Sequence, residues 1–296
     1  MTRTALLPAL VQQAARWIGD APALLVAAGA GMGVDSGLPD FRGREGFWRA
    51  YPALGRAGLA FEEIANPAVF ERDPMLAWGF YGHRLALYRR TTPHPGFRIL
   101  RELAAALPGG IFVFTSNVDG HFQKAGVDHR CVVEVHGSIH HLQCLQGCRG
   151  AIWPADGFEP EVDLEACRLL NAPPRCPHCG GIARPNILMF DDWQWLGERT
   201  SEQLARFEAW RRDQGRRPLT IEIGAGRHVI TVRQFAERSG GRMIRINPEA
   251  EAALGTDVLH LRCGALEGLT AIRDALVNGG LLTPHPVSVR PHPPSP

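Results

Sequence analysis

Six apolar runs of strand length recur along the chain: ALLVAAG (23–29), GIFVFTSN (110–117), CVVEVHG (131–137), LTIEIGAG (219–226), RMIRIN (242–247) and DVLHLR (257–262). Each is short and nearly continuous in its hydrophobicity, as strands buried on both faces of a parallel sheet are. Segments of helical period separate several of them, PGFRILRELAAAL before the second and TVRQFAERSG before the fifth. That alternation predicts an α/β fold, a doubly wound layer with helices on both faces. At 296 residues the chain has room for one large domain or for a large and a small one.

Two stretches break the alternation. Residues 44–90 are rich in aromatics and arginine and look helical, above all PMLAWGFYGHRLALYRR. Residues 138–183 are punctuated by Cys, Gly and Pro, with no sustained period. Both are expected to be insertions that pack together over the sheet edge as a small domain. The sheet domain is then built from 1–43, 91–137 and 184–282. The proline-rich tail, 283–296, is expected to be disordered.

The N-terminus reads as an amphipathic helix starting near Thr4 and not as a signal peptide, because QQAAR interrupts its apolar pattern. No apolar run approaches the roughly 18 residues of a membrane span. With 32 basic and 30 acidic residues the net charge of +2 leaves no footprint for nucleic acid or anionic membrane. A cytoplasmic location is expected, where the seven cysteines suit metal or chance better than disulfides.

The first strand runs into Gly29, Ala30, Gly31, Met32 and Gly33. Glycines there let a phosphate approach the backbone, with the amides of a following helix as donors. The dinucleotide fingerprint would need a glycine where Val34 stands, and no acidic residue closes a second strand about 20 residues on, so a nicotinamide dehydrogenase is disfavoured. Pro39 prevents a simple continuing helix and leaves Asp40, Phe41 and Arg42 on an irregular loop facing whatever the glycines hold. An arginine suits a diphosphate or ribose, and an aromatic suits a flat ring or the exclusion of water.

Cys144 and Cys148 form CLQGC, and Cys176 and Cys179 form CPHC. Two cysteine pairs on tight turns supply four thiolates for a structural zinc. The first pair has three intervening residues and the spacer is 27 residues, both longer than the usual pattern. His140, His141, His178 and Cys167 are the alternative ligands.

Polar residues follow two of the buried strands: Thr115, Ser116, Asn117 and Asp119 after one, His136 after the next. Ligand sites of open α/β sheets gather at the carboxyl ends of strands, so these residues converge on the glycine loop. A neutral imidazole there can act as a general base, with Asn117 and Asp119 orienting an amide or a ribose hydroxyl.

Taken together, AGAGMGVDSGLPDFRG (28–43), TSNVDGHFQKAG (115–126), EVHGS (134–138), the paired cysteines, RPNILMF (184–190) and IRIN (244–247) resemble the sirtuins, in the order of that family and over nearly the whole chain to about residue 275. The resemblance implies a Rossmann-like parallel-sheet domain, a smaller helical and zinc-binding domain, and NAD consumed in the cleft between them. It implies a protein-lysine deacylase that releases nicotinamide and O-acyl-ADP-ribose. By position it assigns Gly29, Ala30, Gly31 and Arg42 to the diphosphate and ribose, and Asp40 and Phe41 to a cover over the nicotinamide end. It assigns Asn117 and Asp119 to the nicotinamide pocket, Ser116 to cofactor binding, Gly224 and Asn247 to the cofactor ribose side, and His136, with Asn117, to catalysis. The partner implied is an acylated protein or peptide.

Three departures stand out. Gly33 replaces the family's serine. Gly224-Ala225-Gly226 replaces Gly-Thr-Ser, losing two hydroxyls. Asp191-Asp192-Trp193 replaces the Gly-Glu at which an acyl-peptide backbone docks. Such departures also suit sirtuin relatives that transfer ADP-ribose to protein or hydrolyse NAD. Tyr81 and Arg84 have the Y-x-x-R spacing of sirtuins that take acidic acyl groups, and with Phe190 they are the expected acyl-pocket residues. On a helix that spacing shares a face, so a phenol and a guanidinium could grip one carboxylate. The competing expectation is a packed tyrosine and a solvated arginine.

Overall fold

The computed structural model describes residues 7–39, 43–227, 229–249 and 255–282. The chain opens with α1 (Pro8–Gly19) and β1 (Leu24–Ala28), followed by a 3-10 helix (Ala30–Ser36). Five helices follow: α2 (Gly43–Ala50), α3 (Pro52–Arg56), α4 (Phe61–Ile64), α5 (Pro67–Arg72) and α6 (Pro74–Arg90). Next come α7 (Pro95–Ala105), β2 (Ile111–Thr115), α8 (His121–Lys124), β3 (Val132–Glu134), β4 (Gly137–Cys144) and β5 (Ile152–Pro154). Short β6 (Val162–Asp163) and β7 (Arg168–Leu169) precede β8 (Ala183–Ile187). The chain then runs through α9 (Glu198–Asp213), β9 (Leu219–Ile223), α10 (Thr231–Ser239), β10 (Met243–Ile246), β11 (Val258–Leu261) and α11 (Ala265–Asn278).

A six-stranded sheet has the order β11-β10-β9-β1-β2-β3, and every neighbouring pair in it is parallel. All five residues of β1 are buried, and its alternating side chains serve two cores. Leu24, Val26 and Ala28 join the core that Trp17, Leu100, Leu269 and Ile272 share beneath α1, α7 and α11. Leu25 packs with Phe112, Phe114 and Phe207, and Ala27 with Val232 and Ala236, beneath α9 and α10. A strand covered on both faces has no polar alternation, which is why these runs read as continuously apolar.

The small domain has its own core, in which Phe47, Phe70, Trp78, Phe80 and Tyr81 meet Ile139, Leu142, Leu169 and Ile187. Helix α6 is its centre. Asp73 accepts the Leu76 amide at 3.0 Å to cap it, and Pro74 occupies the first turn. Buried residues fall all round this helix, the mark of a core helix and not of an amphipathic one.

Two expectations need correction. Helix α1 begins at Pro8, not near Thr4, because proline suits a first turn and Leu7 is still extended; residues 1–6 lie outside the described ones. The boundary drawn at residue 183 splits a strand. Residues 183–187 form β8, which pairs antiparallel with β4 in the small sheet β5-β4-β8, so that sheet extends through Ile187. The tail, 283–296, lies outside the described residues.

Candidate active site

Strands β2 and β3 continue the sheet to one side of β1, and β9, β10 and β11 to the other. The strand order therefore reverses between β1 and β9, where a crevice opens at the carboxyl ends. Two glycine-bearing turns meet there. The Gly29 amide donates to the Ile223 carbonyl at 2.9 Å, and the Gly31 amide to the Gly224 carbonyl at 3.0 Å. Gly224 has φ +59, and a Cβ on it would lie 2.4 Å from the Gly31 carbonyl carbon. The turns touch backbone to backbone, and only glycine permits that approach.

Val34, where the dinucleotide fingerprint wants a third glycine, is 42% exposed on the 3-10 helix. The element that follows β1 is a seven-residue 3-10 helix and not the long helix of that fingerprint, so its third glycine has no task. The loop is instead fastened by residues the sequence did not single out. Asp35 accepts the Leu266 amide at 2.8 Å at the start of α11. The His94 amide donates to Ser36 Oγ at 2.9 Å. His94 Nδ1 accepts the Gly96 amide, so Nε2 carries the proton that meets the Met32 carbonyl at 2.9 Å. The one available sign was the His94-Pro95 pair, which caps α7. Asp40, Phe41 and Arg42 lie outside the described residues.

The end of β2 is tied to the same turn. Thr115 Oγ1 donates to the Ala28 carbonyl at 2.8 Å and accepts the Asn117 amide at 3.0 Å. Asn117 Nδ2 donates to the Gly29 carbonyl at 3.0 Å, which fixes its side chain against the glycine loop. Ser116 binds the Ala28 carbonyl through its amide. Asp119 is buried, with one carboxylate oxygen accepting the His121 amide. Burial pushes its carboxyl above the usual range, with the neighbouring His121 opposing.

His136 follows β3, whose last residue is anchored from α9. The Glu134 amide donates to Gln203 Oε1, Thr200 Oγ1 donates to the Glu134 carbonyl, and Arg199 pairs with its carboxylate. The Val135 amide binds the Thr115 carbonyl at 2.9 Å, and the Leu188 amide binds the His136 carbonyl at 3.0 Å. Gly137 has φ +77, and a Cβ there would fall 2.0 Å from the Asn186 carbonyl oxygen, so the turn after His136 requires glycine. Burial lowers the His136 pKa, offset in part by the Ser116 backbone. A neutral imidazole held at a strand end can accept a proton.

Asn247 closes the far side, its Nδ2 donating to the Ala225 carbonyl at 2.9 Å. The fold thus brings Gly29, Ala30, Gly31, Ser116, Asn117, His136, Gly224 and Asn247 to the carboxyl ends of five strands.

Tyr81 and Arg84 share a face of α6, and both point inward, which sets aside the solvated arginine. Tyr81 stacks on Phe70 with ring centres 5.6 Å apart. Arg84 Nε donates to the Tyr88 hydroxyl at 3.0 Å, and its guanidinium lies over the Phe80, Tyr81 and Tyr88 rings. Phe190, 39% exposed, meets Phe61 at 6.0 Å; Phe61 meets Phe80, and Phe80 meets Tyr81 at 4.9 Å. A row of rings thus runs from a half-open rim to a buried cation.

Asp191 and Asp192 differ. Asp192 forms a two-pronged pair with Arg184 at 2.7 Å, both side chains fully buried. It also accepts the Met189 and Gln194 amides. Asp192 is part of the interior and leaves the docking stretch to its neighbours. Asp191, with φ +53, faces Asn66, and Trp193 is 95% exposed.

The four cysteines converge. The Sγ atoms of Cys144, Cys148, Cys176 and Cys179 lie within 4.8 Å of one another, with Cys144–Cys179 at 3.7 Å and Cys148–Cys176 at 3.6 Å. A zinc–sulfur bond of about 2.3 Å implies sulfur separations of about 3.8 Å around a tetrahedron, so the cluster fits a structural zinc. His140 turns away to the Asp119 carbonyl. Among the described residues no His, Asp or Glu joins the cysteine group.

Residues 29–229 match the model of the Sir2 family. The chain is 28% identical over 257 residues to the NAD-dependent protein deacylase of Aquifex aeolicus, covering 86% of this chain and 95% of that protein. It is 33% identical over 243 residues to NAD-dependent protein deacylase 2 of Pyrobaculum aerophilum, covering 77% and 80%. Among solved structures, a Sir2 homologue–NAD complex superposes with a TM-score of 0.67 at 24% identity, over 91% of this chain and 94% of that one, and shows the same fold.

Proposed function

The chain belongs to the Sir2 family, and from that premise we propose that it is an NAD-dependent protein-lysine deacylase. The observation that carries this is the placement of His136. A half-buried imidazole, kept neutral by its surroundings, stands after β3 and meets the backbone of Ser116, the residue before the Asn117 that is bonded to the glycine turn.

Each group then has a task. The Gly29 and Gly31 amides are taken by the Ile223 and Gly224 carbonyls, so the turn meets the NAD diphosphate through the Ala30 amide and through the close backbone approach its glycines allow. Asn247 and the Gly224 turn line the side that takes the adenine ribose. Asn117 and Asp119 hold the nicotinamide end, and the raised pKa of Asp119 suits a carboxyl that shares a proton with an amide. The substrate acyl oxygen replaces nicotinamide at the ribose carbon. His136 takes the proton of a ribose hydroxyl, which frees that oxygen to attack the acyl carbon. The lysine amine then leaves the acyl carbon and one water adds there, so that nicotinamide, free lysine and O-acyl-ADP-ribose result. The four cysteines would hold zinc as a staple for the small domain, since four thiolates leave no open position for chemistry.

The substrate is an acylated lysine in a protein or peptide. The row of rings from Phe190 to Arg84 is proposed as the acyl channel, and a buried guanidinium at its end favours acyl groups that finish in a carboxylate, such as succinyl. The exposed Trp193, six residues past the edge strand β8, where the resemblance places a docking Gly-Glu, supports a second outcome, transfer of ADP-ribose to a different acceptor. Incubation with NAD and acetyl- or succinyl-lysine peptides, followed by mass spectrometry, separates the two. Deacylation yields O-acyl-ADP-ribose, whereas transfer labels a protein and yields none.

A further inference from the structure

At the opposite end of the sheet from the NAD crevice, a cavity of about 500 Å³ opens where β1 and β9 begin. Its apolar wall is formed by Leu25, Phe207, Phe235 and Pro218. Around it stand four arginines from three elements: Arg211 near the end of α9, Arg216 and Arg217 on the linker into β9, and Arg238 near the end of α10. The one acidic lining residue, Glu208, pairs with Arg211 at 2.9 Å. That leaves the charge of Arg216, Arg217 and Arg238 uncompensated by the lining.

All four arginines are exposed, and two features beneath them set the cavity apart from a plain basic surface. Arg217 is laid along the α10–β10 turn, its Nη1 so close to Gly240 that a Cβ there would fall 2.5 Å away, and its Cδ 3.7 Å from the corresponding point of Gly241. Thr220, 1% exposed at the start of β9, lines the same cavity, and its hydroxyl oxygen has no hydrogen-bond partner among the described residues. A buried hydroxyl without a partner is uncommon, because it forfeits its hydration with no return.

We propose that this cavity binds a small phosphorylated anion, at a site separate from the one that holds NAD. Guanidinium forks match phosphate oxygens two at a time, and three arginines lining one concave surface suit a ligand with more than one phosphate group. The NAD crevice lies at the carboxyl ends of the same strands, so the two sites are separated by the length of β9. The cavity walls contain no residue placed in the catalytic machinery.

The test is calorimetric titration of the full chain with inorganic tripolyphosphate, in the presence of saturating ADP-ribose to fill the NAD crevice. Saturable one-to-one binding is expected, weakened by rising salt because the contacts are ionic. The triple variant Arg216→Ser/Arg217→Ser/Arg238→Ser should weaken it at least tenfold, with NAD binding unchanged as the check that the variant is folded. Arg238→Ser alone should weaken it measurably and serves if the triple variant misfolds. No saturable binding, displacement by ADP-ribose, or undiminished affinity in the variants would overturn the proposal. Because the readout is binding, failure here leaves the deacylase reading untouched.

Discussion

Gly31 and Gly224, almost two hundred residues apart in sequence, lie backbone against backbone, joined by one hydrogen bond of 3.0 Å. Gly224→Ala adds a methyl into that contact and forces alanine into a left-handed conformation. Overpacking of this kind costs about 1–3 kcal/mol. The variant should lower the melting temperature and weaken NAD binding at least tenfold, read by calorimetry. NAD affinity equal to that of the unaltered chain would mean that the turns do not shape the crevice.

The cysteine tetrad makes a compositional prediction. Purified protein should contain one zinc per chain by elemental analysis, and Cys176→Ser should lose it. With its staple removed the small domain should open before the sheet domain, so thermal unfolding should broaden or split. Purified protein without zinc, or a Cys176→Ser variant that keeps both its zinc and a single sharp transition, would contradict a four-thiolate site.

The acyl preference proposed above rests on Arg84. A hydrogen-bonded pair with a charged partner contributes about 1.5–3 kcal/mol, so Arg84→Met should reduce kcat/KM for a succinyl-lysine peptide by roughly tenfold to a hundredfold. The acetyl-lysine peptide should change much less. Equal losses on both peptides would assign Arg84 to packing alone.

The pH dependence follows from His136. A base must be neutral to accept a proton, and burial places its pKa below the usual 6.5. The acidic limb of kcat/KM should therefore fall below pH 6.5, with activity undiminished between pH 7 and 8. Stability moves the same way. His94, His121 and His141 also have lowered pKa values, His141 reaching about 4. Between their folded and unfolded pKa values the unfolded chain binds more protons, so stability rises with pH and is lost as pH falls from about 6.5 towards 4. Melting temperatures measured across that range should decline steadily.

The sheet was legible because parallel strands covered on both faces leave a nearly continuous apolar run: β1 and β2 are of that kind, and β9 and β10 are broken only by the buried Thr220, Glu222 and Arg245. The convergence of Asn117 and His136 followed from the same topology, since strand ends gather on one edge. What the sequence hid was contact between distant segments. Nothing local shows that Gly224 sits on Gly31, that Asp35 reaches α11, or that His94 bolts the glycine loop. Residues from 184 on were placed with the large domain; ARPNI, with its Arg, Pro and Asn, does not read as a strand, and its pairing with β4 is a tertiary choice. Arg84 looked equally suited to solvent, and only the surrounding aromatic rings draw it inside. Asp192 stood in a docking position by resemblance, yet its partner Arg184 lies eight residues upstream in the small domain's interior.

The most direct test joins NAD, an acetyl-lysine peptide and a succinyl-lysine peptide with the unaltered chain and with His136→Ala, products being followed by mass spectrometry. The account predicts one nicotinamide and one O-acyl-ADP-ribose for each lysine freed, with deacylation abolished in the variant. Nicotinamide released while neither peptide loses its acyl group would contradict it.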